Sequence, residues 1–179
     1  MSKFNYDISK AKEHAHHPAI DQIVDMLCHK TGNMNRDFFQ AEVAYFLALV
    51  PSAMRAVIKS PERGNIPVNI YTIALATSGF GKGHSVSMME EILYEFREDF
   101  MKTSFPAHAE DSMFNMAVQI AGAKGGNEDE EKAALDAEFK RCGTAPFVFD
   151  SGTAPAVKQL RQKLLLAKAG SINYQMDET

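Results

Sequence analysis

The chain has 179 residues, 45% hydrophobic and 23% charged, with a net charge of −4. That is the balance of a globular protein with room for a sizeable core, and it excludes a disordered or fibrous chain. No apolar run reaches the roughly 20 residues that span a bilayer, and the polar start Met1–Asp7 lacks the apolar stretch of a secretion signal. Cys28 and Cys142 are too few for a disulfide scaffold or a four-thiolate zinc site, so a reducing cytoplasm is expected. The acidic balance argues against a nucleic-acid binder with a basic surface throughout, while leaving room for a local basic channel.

The first stretch is polar and holds His14, His16 and His17, read as a solvated lead-in rather than a metal site. Pro18 opens a helical pattern with Ile20, Ile23, Val24 and Leu27 on one face, and Gly32 supplies the stop. A second, longer helix follows, capped by Asn35, with Phe38, Phe39, Val43, Phe46, Leu47, Val50, Met54 and Val57 inward; Pro51 should kink or divide it. Ser60–Asn65 reads as a turn cluster. Residues 1–64 are thus expected to be a helical N-terminal region, and 65–179 a second domain that carries the chemistry.

From Val68 to Ala76 the pattern changes to β-branched, aromatic and apolar residues, which predicts a buried strand ended by Gly79 and Gly81. Val86, Met89, Leu93, Phe96 and Phe100 then mark a helix, and Asp111 is expected to cap another with Met113, Phe114, Ala117 and Ile120 inward. Residues 127–141 read as a solvated acidic helix, with partner docking the less favoured alternative. Phe147–Phe149 predicts a short strand ending at Asp150. Thr153 and Pro155 then begin a helix with Val157, Leu160, Leu164 and Leu165 inward, and residues 172–176 alternate as a strand. This order predicts an α/β layout with parallel pairing.

The informative segment is Thr77-Ser78-Gly79-Phe80-Gly81-Lys82-Gly83-His84-Ser85, between a predicted strand and a predicted helix. Glycines let successive amides curl around phosphate oxygens, the helix start turns its positive end to the anion, and Lys82 adds a point charge. Compared with the G-x-x-x-x-G-K-[ST] pattern, Ala76 replaces the first glycine and Gly83 the hydroxyl residue that ordinarily ligates magnesium. Ser85 lies about 200° further round the helix and cannot simply substitute. A strand ending in Asp and Glu would complete such a site, and Asp177-Glu178 supplies both; Asp150 is the rival for the metal.

Together the loop, the sequence Asp150-Ser151-Gly152-Thr153-Ala154-Pro155 and Asp177-Glu178 resemble the front half of a P-loop ATPase of the phage and mobile-element primase-helicase type, whose core is similar to RecA. The resemblance implies a P-loop NTPase-like three-layer sandwich, with an incomplete parallel sheet behind the helical region. It implies ATP and Mg²⁺ as cofactors, Lys82 and Glu178 as catalytic residues, Thr77–Ser85 as the nucleotide loop and Asp177 as the metal ligand. It also implies a DNA replication helicase or primase-helicase in the cytoplasm, or in the host cytoplasm if phage-encoded. Such a protein would hydrolyse ATP only when completed by a C-terminal half, assemble as a homo-oligomer and engage single-stranded DNA. Only Thr179 follows Glu178, so the expectation is a fragment or one half of a split protein, with unpaired strand edges. The alternatives are a non-catalytic nucleotide-binding or assembly module, and a small nucleotide kinase, against which the lack of an Arg-rich lid segment counts.

Overall fold

The computed structural model describes residues 17–169 and 173–175. In chain order they form α1 (Pro18–Thr31), α2 (Arg36–Ala53), β1 (Val57–Ser60), β2 (Gly64–Pro67), α3 (Lys82–Asp99), a π-helical turn (Phe100–Ser104), α4 (Phe105–Lys124), α5 (Glu128–Arg141) and α6 (Ala154–Leu166). Among these residues no helix is long and apolar enough to cross a membrane.

The fold is mostly helical, which corrects the expected parallel-sheet sandwich. Its one sheet among the described residues is the antiparallel hairpin β1–β2, with Val57 opposite Pro67 and Ser60 opposite Gly64. Val68–Ala76 is not a strand. A strand needs hydrogen-bonded neighbours, and after the Val68 amide donates to Ala56 no ladder continues. Tyr71, Ile73 and Leu75 are instead 93%, 88% and 86% exposed, the reverse of the burial their composition predicts. Of the parallel pairing expected between 147–149 and 172–176, the described residues show a single bridge, Phe149 to Tyr174. There Phe149 donates to the Asn173 carbonyl (2.8 Å) and Gln175 donates to the Phe149 carbonyl (3.0 Å).

The helices follow their sequence signals more closely. Gly32 ends α1 in the left-handed region (φ 68°) and its amide reaches the Cys28 and His29 carbonyls. Asn35 caps α2 by accepting from the Phe38 amide at 3.2 Å. Pro51 falls in the last turn of α2, which stops at Ala53, so Met54 and Val57 are exposed rather than inward. Asp111 is no cap: the π-helical turn, closed by the Phe105 amide on the Phe100 carbonyl, runs α3 into α4 and leaves Asp111 inside α4. The acidic α5 has no buried residue, as a solvated face requires. In α6 the buried residues are Leu160, Lys163 and Leu166, while Val157 and Leu165 are exposed.

The chain divides into two compact units. The described part of one comprises 17–45 and 72–89, with Val24, Leu27, Cys28, Phe39, Val43 and Met89 as its buried apolar side chains. The other holds 46–71 and the described residues from 90 on. It carries an aromatic cluster in which Phe147 meets Phe96 and Phe100, each with ring centroids 5.9 Å apart. The Arg97 guanidinium lies 5.7 Å from the Phe147 centroid.

Candidate phosphate-binding loop

Thr77–Ser85 lies wholly within the first unit. The Phe80 amide donates to the Thr77 carbonyl (3.2 Å), and the Ser85 amide donates to the Gly81 carbonyl (3.0 Å), which closes the first turn of α3. The earlier amides of Gly83 and His84 stand outside the helix's own ladder, at its positive end. Gly79 (φ 79°) and Gly81 (φ 95°) both occupy left-handed backbone on either side of Phe80. That region favours glycine, and at Gly81 space adds a second reason. A Cβ there would stand 2.9 Å from the Thr31 Cβ at the end of α1.

The loop is held from behind. The Phe80 ring lies 4.5 Å from Phe38 and 6.1 Å from Phe39, centroid to centroid. The Asn33 side-chain amide donates to the Phe80 carbonyl at 3.2 Å. Thr77, Ser78, Gly79, Gly83 and His84 face solvent, Gly81 and Lys82 are half-buried, and Ser85 is fully buried. Lys82 opens α3. Sequence reasoning missed the clamp of Phe38, Phe39 and Asn33, since nothing local marks those residues as neighbours of a loop so far along the chain.

The remaining expected site residues are Asp177, Glu178 and Asp150. Asp177 and Glu178 lie outside the described residues. Asp150 is exposed, accepts from the Ser151 hydroxyl at 3.2 Å and belongs to the second unit. The described residues at the loop do not fit magnesium. Gly83 brings no side chain, and the buried Ser85 hydroxyl donates to the Lys82 carbonyl at 2.8 Å.

One buried carboxyl sits beside this loop and was missed in the sequence, where it reads as a polar position on an amphipathic helix. Glu42, on α2, is only 6% exposed, and neither of its oxygens has a hydrogen-bond partner among the described residues. Burial pushes its carboxyl above the usual carboxylate range.

In the second unit, Arg55, His108 and Asn173 line a small cavity with Phe100, Phe105 and Phe147. Its volume of about 40 Å³ suits a water or two rather than a nucleotide. The Arg55 guanidinium donates to the Ala167 carbonyl.

Comparison with protein-family models, with curated proteins and with solved structures finds no match to this chain.

Proposed function

We propose that the chain binds a nucleotide by its phosphates at Thr77–Ser85, as the ATP-binding portion of a replication ATPase of the phage and mobile-element type. The observation that carries the binding reading is the pair of left-handed glycines flanking Phe80, directly before a helix that opens with Lys82. Left-handed glycine followed by a helix start turns amides outward in a concave array suited to an anion. The clamp of Asn33, Phe38 and Phe39 prepares that array before a ligand arrives, which lowers the entropy cost of binding. Phosphate chemistry, rather than carboxylate or sulfate chemistry, is favoured by the order glycine, glycine, lysine after an apolar run, the feature shared with nucleotide-binding loops.

The helicase part of the reading rests on the sequence resemblance alone. A non-catalytic nucleotide-binding module is the second reading, and Gly83 favours it because the loop offers no hydroxyl where magnesium is usually held.

Calorimetric titration with ATP, with and without Mg²⁺, tests both. Binding should occur, and Lys82→Ala should weaken it by about 1.5–3 kcal/mol through loss of a charge-assisted contact. Equal affinity in wild type and variant sinks the reading. Affinity unchanged by Mg²⁺ supports the non-catalytic form.

A further inference from the structure

We propose that the cavity of the second unit binds a small monocarboxylate, whose two oxygens are held by the Arg55 guanidinium with His108 and Asn173 as further donors. The site shares no residue with the phosphate loop, so it stands whether or not that loop binds a nucleotide.

The wall chemistry sets the charge of the occupant. Arg55 and His108 line the cavity with Asn173, Phe100, Phe105 and Phe147, and no Asp or Glu lines it. Arg55 is half-buried and has no carboxylate partner among the described residues. Burial lowers its pKa, and no neighbouring acid offsets that. A cation in partly apolar surroundings is stabilised by an anion brought to it. The three phenylalanines are themselves buried, and their low-dielectric wall strengthens such a contact.

The donor count leaves room for that anion. A guanidinium carries five N–H hydrogens. The Ala167 carbonyl takes one of the two on Nη2, and Arg55 makes no other side-chain hydrogen bond among the described residues. One Nη2 hydrogen forms a fork with Nε and the other a fork with Nη1, so one two-hydrogen fork stays whole. That fork matches the paired oxygens of a carboxylate. The volume of about 40 Å³, suited to a water or two, has place for those two oxygens. The side chains of His108 and Asn173 make no hydrogen bond among the described residues, which leaves their donors available.

Two local features converge on the same cavity. Arg55 has left-handed backbone (φ 57°) two residues past the end of α2, where glycine is usual, and its amide donates to the Ser52 carbonyl at 3.1 Å. The π-helical turn begins at Phe100 and is closed by the amide of Phe105, and both residues line the cavity. His108 follows Phe105 by three positions on α4, on the same face. A left-handed arginine and a π-helical turn are both costly local choices, of the kind that gathers at ligand sites.

The test is NMR titration of the full chain with sodium acetate, against sodium chloride at equal ionic strength. Acetate should move the Arg55 Nε–H and Asn173 side-chain amide signals saturably, and chloride should not. Arg55→Lys keeps the charge but loses the fork, and should weaken acetate binding by about tenfold or more. Inorganic phosphate, a tetrahedral anion, should bind more weakly than acetate. Equal responses to acetate and chloride, equal acetate affinity in wild type and variant, or tighter binding of phosphate each overturns the proposal. Should Arg55→Lys fail to fold, the wild-type signals decide alone: saturable movement specific to acetate supports the site, and its absence overturns it.

Discussion

The side-chain amide of Asn33 donates to the main-chain carbonyl of Phe80 across 47 residues of sequence, at 3.2 Å. It joins the segment between α1 and α2 to the tip of the glycine loop, so the loop's shape depends on two helices that precede it. Replacing Asn33 by Ala removes the donor and leaves a partly buried carbonyl unpaired. The expected cost is about 1 kcal/mol in stability, with weaker ATP binding than the lost stability alone explains. Urea unfolding and calorimetry on the same variant measure both. Unchanged ATP affinity would show that the loop does not need this tether.

The two glycines around Lys82 should respond in opposite directions. At Gly81 an alanine meets both left-handed backbone and the Thr31 side chain, and the expected loss is about 1–2 kcal/mol or more. At Gly83 nothing lies within 4 Å of an added Cβ, and the residue sits inside α3. Gly83→Ala should be stabilising by up to about 1 kcal/mol. Chemical denaturation of the two variants side by side checks the sign as well as the size.

Lys163 is the buried cation of α6. It is 8% exposed, its ammonium donates to the carbonyls of Gly143 and Phe139, and it lies 4.2 Å from the centre of the Phe139 ring. Burial lowers its pKa, with the nearby Cys142 opposing. A base held below its unfolded value is penalised while charged. Its contribution should therefore improve as pH rises through the folded pKa towards the ordinary lysine value of about 10.4. Lys163→Met should remove that alkaline gain and leave the two carbonyls unpaired, a loss of about 1–3 kcal/mol at neutral pH. Thermal unfolding from neutral to alkaline pH reads both effects.

The apolar stretch before the loop should make the chain associate. Tyr71, Ile73 and Leu75 stand open to solvent, and from Gly64 to Gly81 the sequence has no charged side chain to keep copies apart. Sedimentation should show mass increasing with concentration, and the double variant Ile73→Lys, Leu75→Lys should reduce it without loss of folded protein, because neither side chain is buried. A wild type that stays monomeric across the range would argue that this stretch is harmless as it stands.

Local signals determined much of the helical part. The proline and left-handed glycine that bound α1, the Asn35 cap of α2, the four-residue spacing of Met89 and Leu93 in α3, and the acidic solvated α5 are all short-range patterns. The glycine loop was legible for the same reason, since its backbone demands fall on adjacent residues. Tertiary structure alone decided the rest. A strand is a relation between segments, so the β-rich composition of Val68–Ala76 could not by itself produce one, and among the described residues no neighbouring ladder forms beside it. The run from Phe100 into α4 depends on a π-helical turn that no spacing rule marks. Burial of Glu42, and of Lys163 over Phe139, arises where distant helices cover polar positions that sequence alone reads as solvent-facing.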